Sequence, residues 1–202
     1  MAGVSFSIIV PTSGRPSLDR TLASITEQLE PGDEVFVLRD DSNDEGDTPR
    51  NSAIPRARGT HLLFMDDDDQ YARGALPRIR RFAEEHPGRI GIFRMRYDNG
   101  LVLWRKPELE FGNVSTQLFV VPNLPGKLAR WERRGRVIGD YVFITETAKL
   151  LGDPIFRDEI VVYARTDRRL ARRAIVRVRK LPVRIRYHAR RSRVRRLLAR
   201  LR

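Results

Sequence analysis

The sequence predicts an α/β protein: a Rossmann-like mixed sheet flanked by helices, followed by a basic helical C-terminal tail. Three observations carry this. Short apolar runs alternate three times with segments of helical periodicity, which argues for right-handed βαβ units and parallel pairing. Asn99-Gly100 stands between two later strand patterns, a two-residue hairpin signal that brings antiparallel pairing into the second half. Positive charge gathers almost entirely at the end of the chain.

Taken in order, Phe6 to Val10 is a buried strand ending at Pro11. Leu18, Leu22, Ile25 and Leu29 fall on one helix face, which Pro31-Gly32 closes. Glu34 to Leu38 is a second strand, followed by the polar loop Arg39 to Thr48 and a helix over Arg50 to Arg58 that reaches Gly59. Leu62 to Met65 is a third strand, and four aspartates come directly after it. Leu76, Ile79 and Phe82 mark a helix stopped by His86-Pro87-Gly88, and Ile90 to Arg96 follows as a strand. Phe93–Tyr97 and Leu101–Trp104 flank the Asn-Gly turn; Leu118–Val121 reads as a strand, Asp140–Leu151 as a helix and Ile160–Tyr163 as a short strand.

The composition excludes several classes. The chain has 202 residues and 41% hydrophobic residues, enough for one core. Apolar runs such as Leu118–Val121, four residues long, fall far short of the roughly 18 needed to span a bilayer. The first residues lack a basic n-region and a long apolar stretch, so no secretory signal is expected there. Cysteine is absent, which removes disulfides, thiol catalysis and cysteine-held metals, and suits a cytoplasmic setting. Residues 165–202 hold 17 basic side chains and one acid, a balance of +16, while the other 164 residues carry 22 basic and 25 acidic groups, a balance of −3. The chain therefore divides into a near-neutral domain over 1–164 and a basic, partly amphipathic tail over 165–202.

In an open α/β sheet, ligands bind past the carboxyl ends of the strands. Pro11-Thr12, Asp40-Asp41 and Asp66–Asp69 occupy those positions after the first three strands. Six aspartates on one edge repel each other unless a cation lies among them, and hard oxygen ligands suit Mg²⁺ or Mn²⁺. The plainer alternative is a set of solvated loop acids, with Asp44 and Asp47 as capping residues.

The segments Phe6-Ser-Ile-Ile-Val-Pro-Thr, Val37-Leu-Arg-Asp-Asp-Ser-Asn-Asp, Arg50-Asn-Ser-Ala-Ile-Pro-Arg-Ala-Arg-Gly and Leu63-Phe-Met-Asp-Asp-Asp-Asp follow one another in an order that resembles family 2 glycosyltransferases of the GT-A fold. The resemblance is close over about residues 5–80 and looser as far as 164. It implies a nucleoside-diphosphate sugar donor and a hydroxyl acceptor. Asp40 would accept from the nucleobase imino group, with Pro11 and Thr12 beside the base and Arg50 near the nucleotide. The aspartate run would be the DxD element, with Asp66 and Asp67 on the ribose side and Asp68 on the divalent cation, Mg²⁺ or Mn²⁺. Ser13-Gly14 replaces the aromatic-asparagine pair common before Arg15, and Arg39 before Asp40 is also unusual.

Inverting transfer needs a base near the acceptor hydroxyl. Gly139-Asp140-Tyr141, at the start of an apolar helix, resembles the downstream acidic motif of the family, which makes Asp140 the candidate catalytic base; capping its own helix is the simpler role. Gly112–Gln117 reads equally as a pocket wall or a polar turn, and Trp131 as a core residue before a sugar-stacking one. His61, His86 and His188 are scattered and suggest no metal site.

In the tail, Leu170, Ala174, Ile175 and Val178 share a helix face before Pro182. Val194, Leu197, Leu198 and Leu201 then form an apolar stripe among arginines. Residues 183–202 would suit an anionic membrane surface, placing the protein in the cytoplasm, peripheral at the inner face of the cell membrane, with a lipid-linked glycan as acceptor. Packing on the domain or on a second subunit ranks next. Nucleic acid ranks third, because Tyr187 is the tail's single aromatic. The sequence thus predicts an inverting, divalent-dependent glycosyltransferase; the alternative is an inactive nucleotide-sugar-binding or scaffold protein acting through its basic tail. A nucleotidyltransferase would need a glycine-rich phosphate loop, and Pro11–Pro16 has one glycine.

Overall fold

Strand β1 (Phe6–Thr12) is buried along its whole length, as a central parallel strand with both faces covered should be. The computed structural model describes residues 3–42, 44–135 and 139–164, and the backbone of 184–187. After β1 come α1 (Leu18–Thr26), β2 (Glu34–Arg39), α2 (Asp47–Ala53), β3 (His61–Phe64), β4 (Gln70–Tyr71), α3 (Ala75–Glu85), β5 (Gly91–Tyr97), β6 (Val102–Leu103), β7 (Phe119–Pro122), α4 (Gly139–Leu151), β8 (Ile155–Ala164) and β9 (Arg184–Tyr187). These strands form one sheet in the order β4-β8-β5-β7-β3-β1-β2-β9, with β6 on β5.

β1 pairs in parallel with β2 and β3, so all three end at the same edge and deliver Thr12, Asp40 and the aspartate run there. β7 lies between β3 and β5 and is antiparallel to both, so the parallel series stops at β3. The apolar faces of α1 (Leu18, Leu22, Ile25) and α3 (Leu76, Ile79, Phe82) cover the sheet. At the opposite end of β1, buried Asp33 accepts from Phe6 N at 2.8 Å and from Arg80 Nη2 at 2.7 Å, while the Arg80 guanidinium lies over the Phe6 ring.

Several expectations are revised. The helix expected over Arg50–Arg58 begins at Asp47, ends at Ala53 and continues as a 3₁₀ turn over Ile54–Arg56. Pro55 has no N–H and its ring would meet the carbonyl four residues back in an α-helix. The Asn-Gly hairpin has a three-residue loop instead of two: Tyr97 N donates to Leu101 O at 2.8 Å, and within the loop Gly100 alone has a positive φ, 86°. A two-residue type I′ turn needs positive φ at both central positions. The last strand of the domain starts at Ile155, five residues early, because it runs parallel to β5 from Gly91 onward. β4 is a two-residue strand too short to show a pattern in the sequence. Within the tail read as helical, 184–187 form a strand parallel to β2; the helical stretches expected over 170–178 and 194–201 lie outside the described residues. Among the described residues, no helix is long and apolar enough to cross a membrane.

Candidate active site

The ends of β1, β2 and β3 open into a cavity of about 660 Å³, within the range of small-ligand sites. Pro11, Thr12, Asp40, Arg50, Asp66, Asp67 and Asp68 all line it, and so do Arg15, Ser115, Gln117 and Asp69. Asp140 does not line it.

Thr12, buried at the end of β1, donates from Oγ1 to Asp67 Oδ2 at 2.6 Å and accepts from Gly14 N at 2.9 Å. Asp40 N donates to Thr12 O at 2.9 Å, extending the β1–β2 ladder by one residue. The Asp40 carboxylate accepts from Ser42 N and Ser42 Oγ, at 3.2 and 2.7 Å. Asp41 pairs instead with Arg39 at the surface. Asp44 accepts from Thr48 N and Oγ1 and from Ser42 Oγ, and these bonds hold its carboxyl below the ordinary value against the effect of burial. The capping role expected of Asp44 therefore has a geometric basis.

Arg50 is 3% exposed. Its Nη1 donates to Glu45 O at 2.8 Å and its Nη2 to Asp66 Oδ1 at 2.7 Å, and the guanidinium lies 4.7 Å from the Trp131 ring centroid. Its Nε is buried with no hydrogen-bond partner among the described residues. Gly46 makes room for this arrangement: with φ at 87°, a Cβ there would fall 2.8 Å from Pro11 Cγ and 2.9 Å from Arg50 Nη1. Asn51, next to Arg50, exchanges two bonds with the Trp131 backbone, at 2.7 and 2.9 Å. Trp131 is buried, stacked on Phe143 at 4.3 Å and edge-on to Phe64. It is a core residue that supports Arg50 from below.

Gln117, whose segment reads in the sequence equally as pocket wall or polar turn, is central to the cavity. One amide nitrogen, Nε2, donates at 2.6 Å to Asp66 Oδ2 and at 2.6 Å to Asp69 Oδ2, while Ser115 Oγ donates to Oε1. Asp69 is itself buried, and its carbonyl accepts from Thr21 Oγ1 of α1. Burial pushes the Asp66 carboxyl up; Arg50 opposes this and the charges of Asp68 and Asp67 add to it. Asp68, like Asp66 only partly covered, accepts from Arg15 Nη1 at 2.7 Å. The signal for Gln117 in the sequence was a polar residue abutting an apolar strand; nothing there singled out Arg15 as a cavity residue.

Asp140 stands in the first turn of α4, within electrostatic reach of Arg50, Asp66 and Asp47. Its Oδ1 accepts from Tyr141 N at 2.6 Å. Burial raises its carboxyl to about 6, against the pull of that bond and of Arg50. Gly139 before it abuts Asp47, whose carboxylate occupies the space a Cβ would take. Burial raises Asp47 as well.

Among the described residues no three acidic or imidazole side chains converge into a ready metal cage. The donor set does fit a hard cation shared between one or two carboxylates and the oxygens of a ligand, the usual way of holding Mg²⁺. Asp66 and Asp68 are the half-open carboxylates of the run, and Asp66 is already held by Arg50 and Gln117.

Residues 48–144 match the family model described as Glycosyl transferase family 2, a span that includes Arg50, the aspartate run and Asp140. A curated relative, the poly(ribitol-phosphate) beta-glucosyltransferase of Bacillus spizizenii, is 32% identical over 85 residues, covering 42% of this chain and 13% of that protein. Among solved structures, S. aureus TarS superposes with a TM-score of 0.63 at 20% identity, over 81% of this chain and 37% of that one. TarS 1-349 in complex with UDP-GlcNAc gives 0.63 at 21% identity, over 86% and 62%, and the form with UDP gives 0.60 at 22%, over 80% and 60%. The mixed sheet with its flanking helices is the GT-A-like fold of those structures. The chain spans about an eighth of the curated relative and less than two thirds of the solved ones.

Proposed function

Because residues 48–144 match the Glycosyl transferase family 2 model and the sheet is GT-A-like, we propose that this chain transfers a sugar from a nucleoside diphosphate to a hydroxyl acceptor with inversion. The observation that carries the reading is the single cavity joining the end of β2, with Asp40, to the acid run after β3. Asp40 receives the base edge, Pro11 and Thr12 flank it, and Asp66 and Asp67 set the ribose side. Arg50, buried with its Nε unpartnered among the described residues, supplies fixed positive charge under the nucleotide. UDP is the natural probe, since a solved structure of similar fold binds it.

A divalent cation on Asp68, Mg²⁺ or Mn²⁺, would stabilise negative charge on the departing diphosphate. The chain's own residues orient the donor and receive the acceptor's proton. Asp140 is the proposed base: with its carboxyl raised to about 6, it is ionised at neutral pH and more basic than an ordinary carboxylate, as general-base catalysis favours. The acceptor we propose is a phosphate-bearing or lipid-linked glycan polymer. This is supported by the polymer named for the curated relative and by the +16 balance of residues 165–202, which also suits an anionic membrane surface at the inner face of the cell membrane.

Asp140→Asn tests the assignment. Transfer should fall by about 10²–10⁴-fold while UDP affinity stays within a factor of two; a variant as active as the parent would remove Asp140 as the base.

A further inference from the structure

The cavity contains two arginines in opposite situations. Arg50 is 3% exposed and has both Nη atoms committed to Glu45 O and Asp66. The side chain of Arg15 is 55% exposed and reaches over the acid run with one nitrogen, Nη1, which lies 2.7 Å from Asp68 Oδ2 and 3.4 Å from Asp67 Oδ1. Its loop is fixed at the root, where Thr12 Oγ1 holds both Asp67 and Gly14 N and Gly14 turns at a φ of 89°. Beyond that anchor the Arg15 side chain alone extends across to Asp68.

We infer that Arg15 is an exchangeable counter-ion. It neutralises the Asp67–Asp68 end of the cavity, and it passes to the donor's diphosphate when a divalent cation takes Asp68. The inference rests on the nucleoside-diphosphate reading above. Three physical arguments support the exchange. An exposed, single-nitrogen ion pair is screened by water and weakly held. A hard divalent cation binds carboxylate oxygen in preference to leaving it with a guanidinium. The released fork then matches phosphate oxygens through two parallel N–H bonds, a geometry that its present contact with Asp68 does not use. The cation and the arginine therefore compete for Asp68 when alone and cooperate once the diphosphate is present. Arg50, held by Asp66 and stacked on Trp131, cannot make this move without breaking the cavity floor.

The test is calorimetric titration of the full chain with MnCl₂ alone and with UDP in saturating MnCl₂, for the parent, Arg15→Gln and Arg15→Lys. Arg15→Gln should bind Mn²⁺ alone at least threefold more tightly and UDP at least tenfold more weakly. Arg15→Lys, which keeps the charge and loses the fork, should fall between the two for UDP. Such opposite shifts are not expected of a merely structural residue. UDP affinity of Arg15→Gln within twofold of the parent, or Mn²⁺ affinity unchanged, overturns the proposal while leaving the donor reading intact. A parent chain that binds no UDP under these conditions overturns both.

Discussion

Thr12 Oγ1 lies 2.6 Å from Asp67 Oδ2, a hydrogen bond between residues 55 positions apart that ties the end of β1 to the loop after β3. Both side chains are nearly buried, so the bond has little competition from water. Through it the nucleobase side of the cavity and the acid run behave as one rigid edge.

Thr12→Val keeps the shape and deletes the donor. Asp67, 5% exposed, would then lack its short buried bond, at a cost of about 2 kcal/mol. Urea unfolding at neutral pH should report that loss, and UDP affinity should fall with it. Unchanged stability would mean that Arg15 alone satisfies Asp67.

Gln117→Met removes the amide that serves both Asp66 and Asp69. Two carboxylates then face each other without their shared donor, and stability should drop by about 2–3 kcal/mol at pH 7.5. The deficit should shrink as pH falls and the acids take up protons. A deficit independent of pH would point to packing alone.

Asp140→Asn should make the protein more stable at neutral pH. The carboxyl titrates near 6 in the folded chain against 3.8 as its ordinary value, so its ionisation above that window disfavours folding. Replacing it should gain on the order of 1–3 kcal/mol at pH 7.5, with the gain fading between pH 6 and 4 and gone below 4. Stability curves for the two chains that stay parallel across this range would contradict the burial argument.

His61 predicts an acid-side weakness. It is buried at the start of β3 with Nε2 unpartnered among the described residues and Nδ1 3.0 Å from Thr60 Oγ1. Burial lowers its titration from 6.5 to about 4. Stability from the neutral ring is present above 6.5 and is lost as pH falls toward 4, by up to about 3 kcal/mol. His61→Gln should flatten that part of the stability–pH curve; an unaltered acid limb would assign it to the carboxylates.

The strands that build the site were legible because each is a buried apolar run bounded by a sharp polarity change, as in Leu62–Met65 followed by Asp66. The convergence of Pro11, Thr12, Asp40, Arg50 and Asp66–Asp68 on one cavity follows from parallel pairing of β1, β2 and β3, which places their carboxyl ends side by side. Gln117 and Arg15 were less accessible. Gln117 reaches the acids because β7 inserts antiparallel beside β3, a crossover that local periodicity does not encode. Arg15 is an ordinary surface arginine in the sequence, and only the Thr12 anchor turns its loop over Asp68. The hairpin loop differs from the two-residue expectation because Asn-Gly suits both a two-residue turn and a three-residue loop with glycine at the left-handed position, and the strand register decides between them.

The most direct measurement is a crystal structure of the chain with UDP and MnCl₂. In the expected structure the pyrimidine edge lies at Asp40, the ribose toward Asp66 and Asp67, and the diphosphate between Asp68 and an Arg15 that has left the carboxylate. UDP bound outside this cavity, or seated in it with Asp40 and Asp68 untouched, would contradict it.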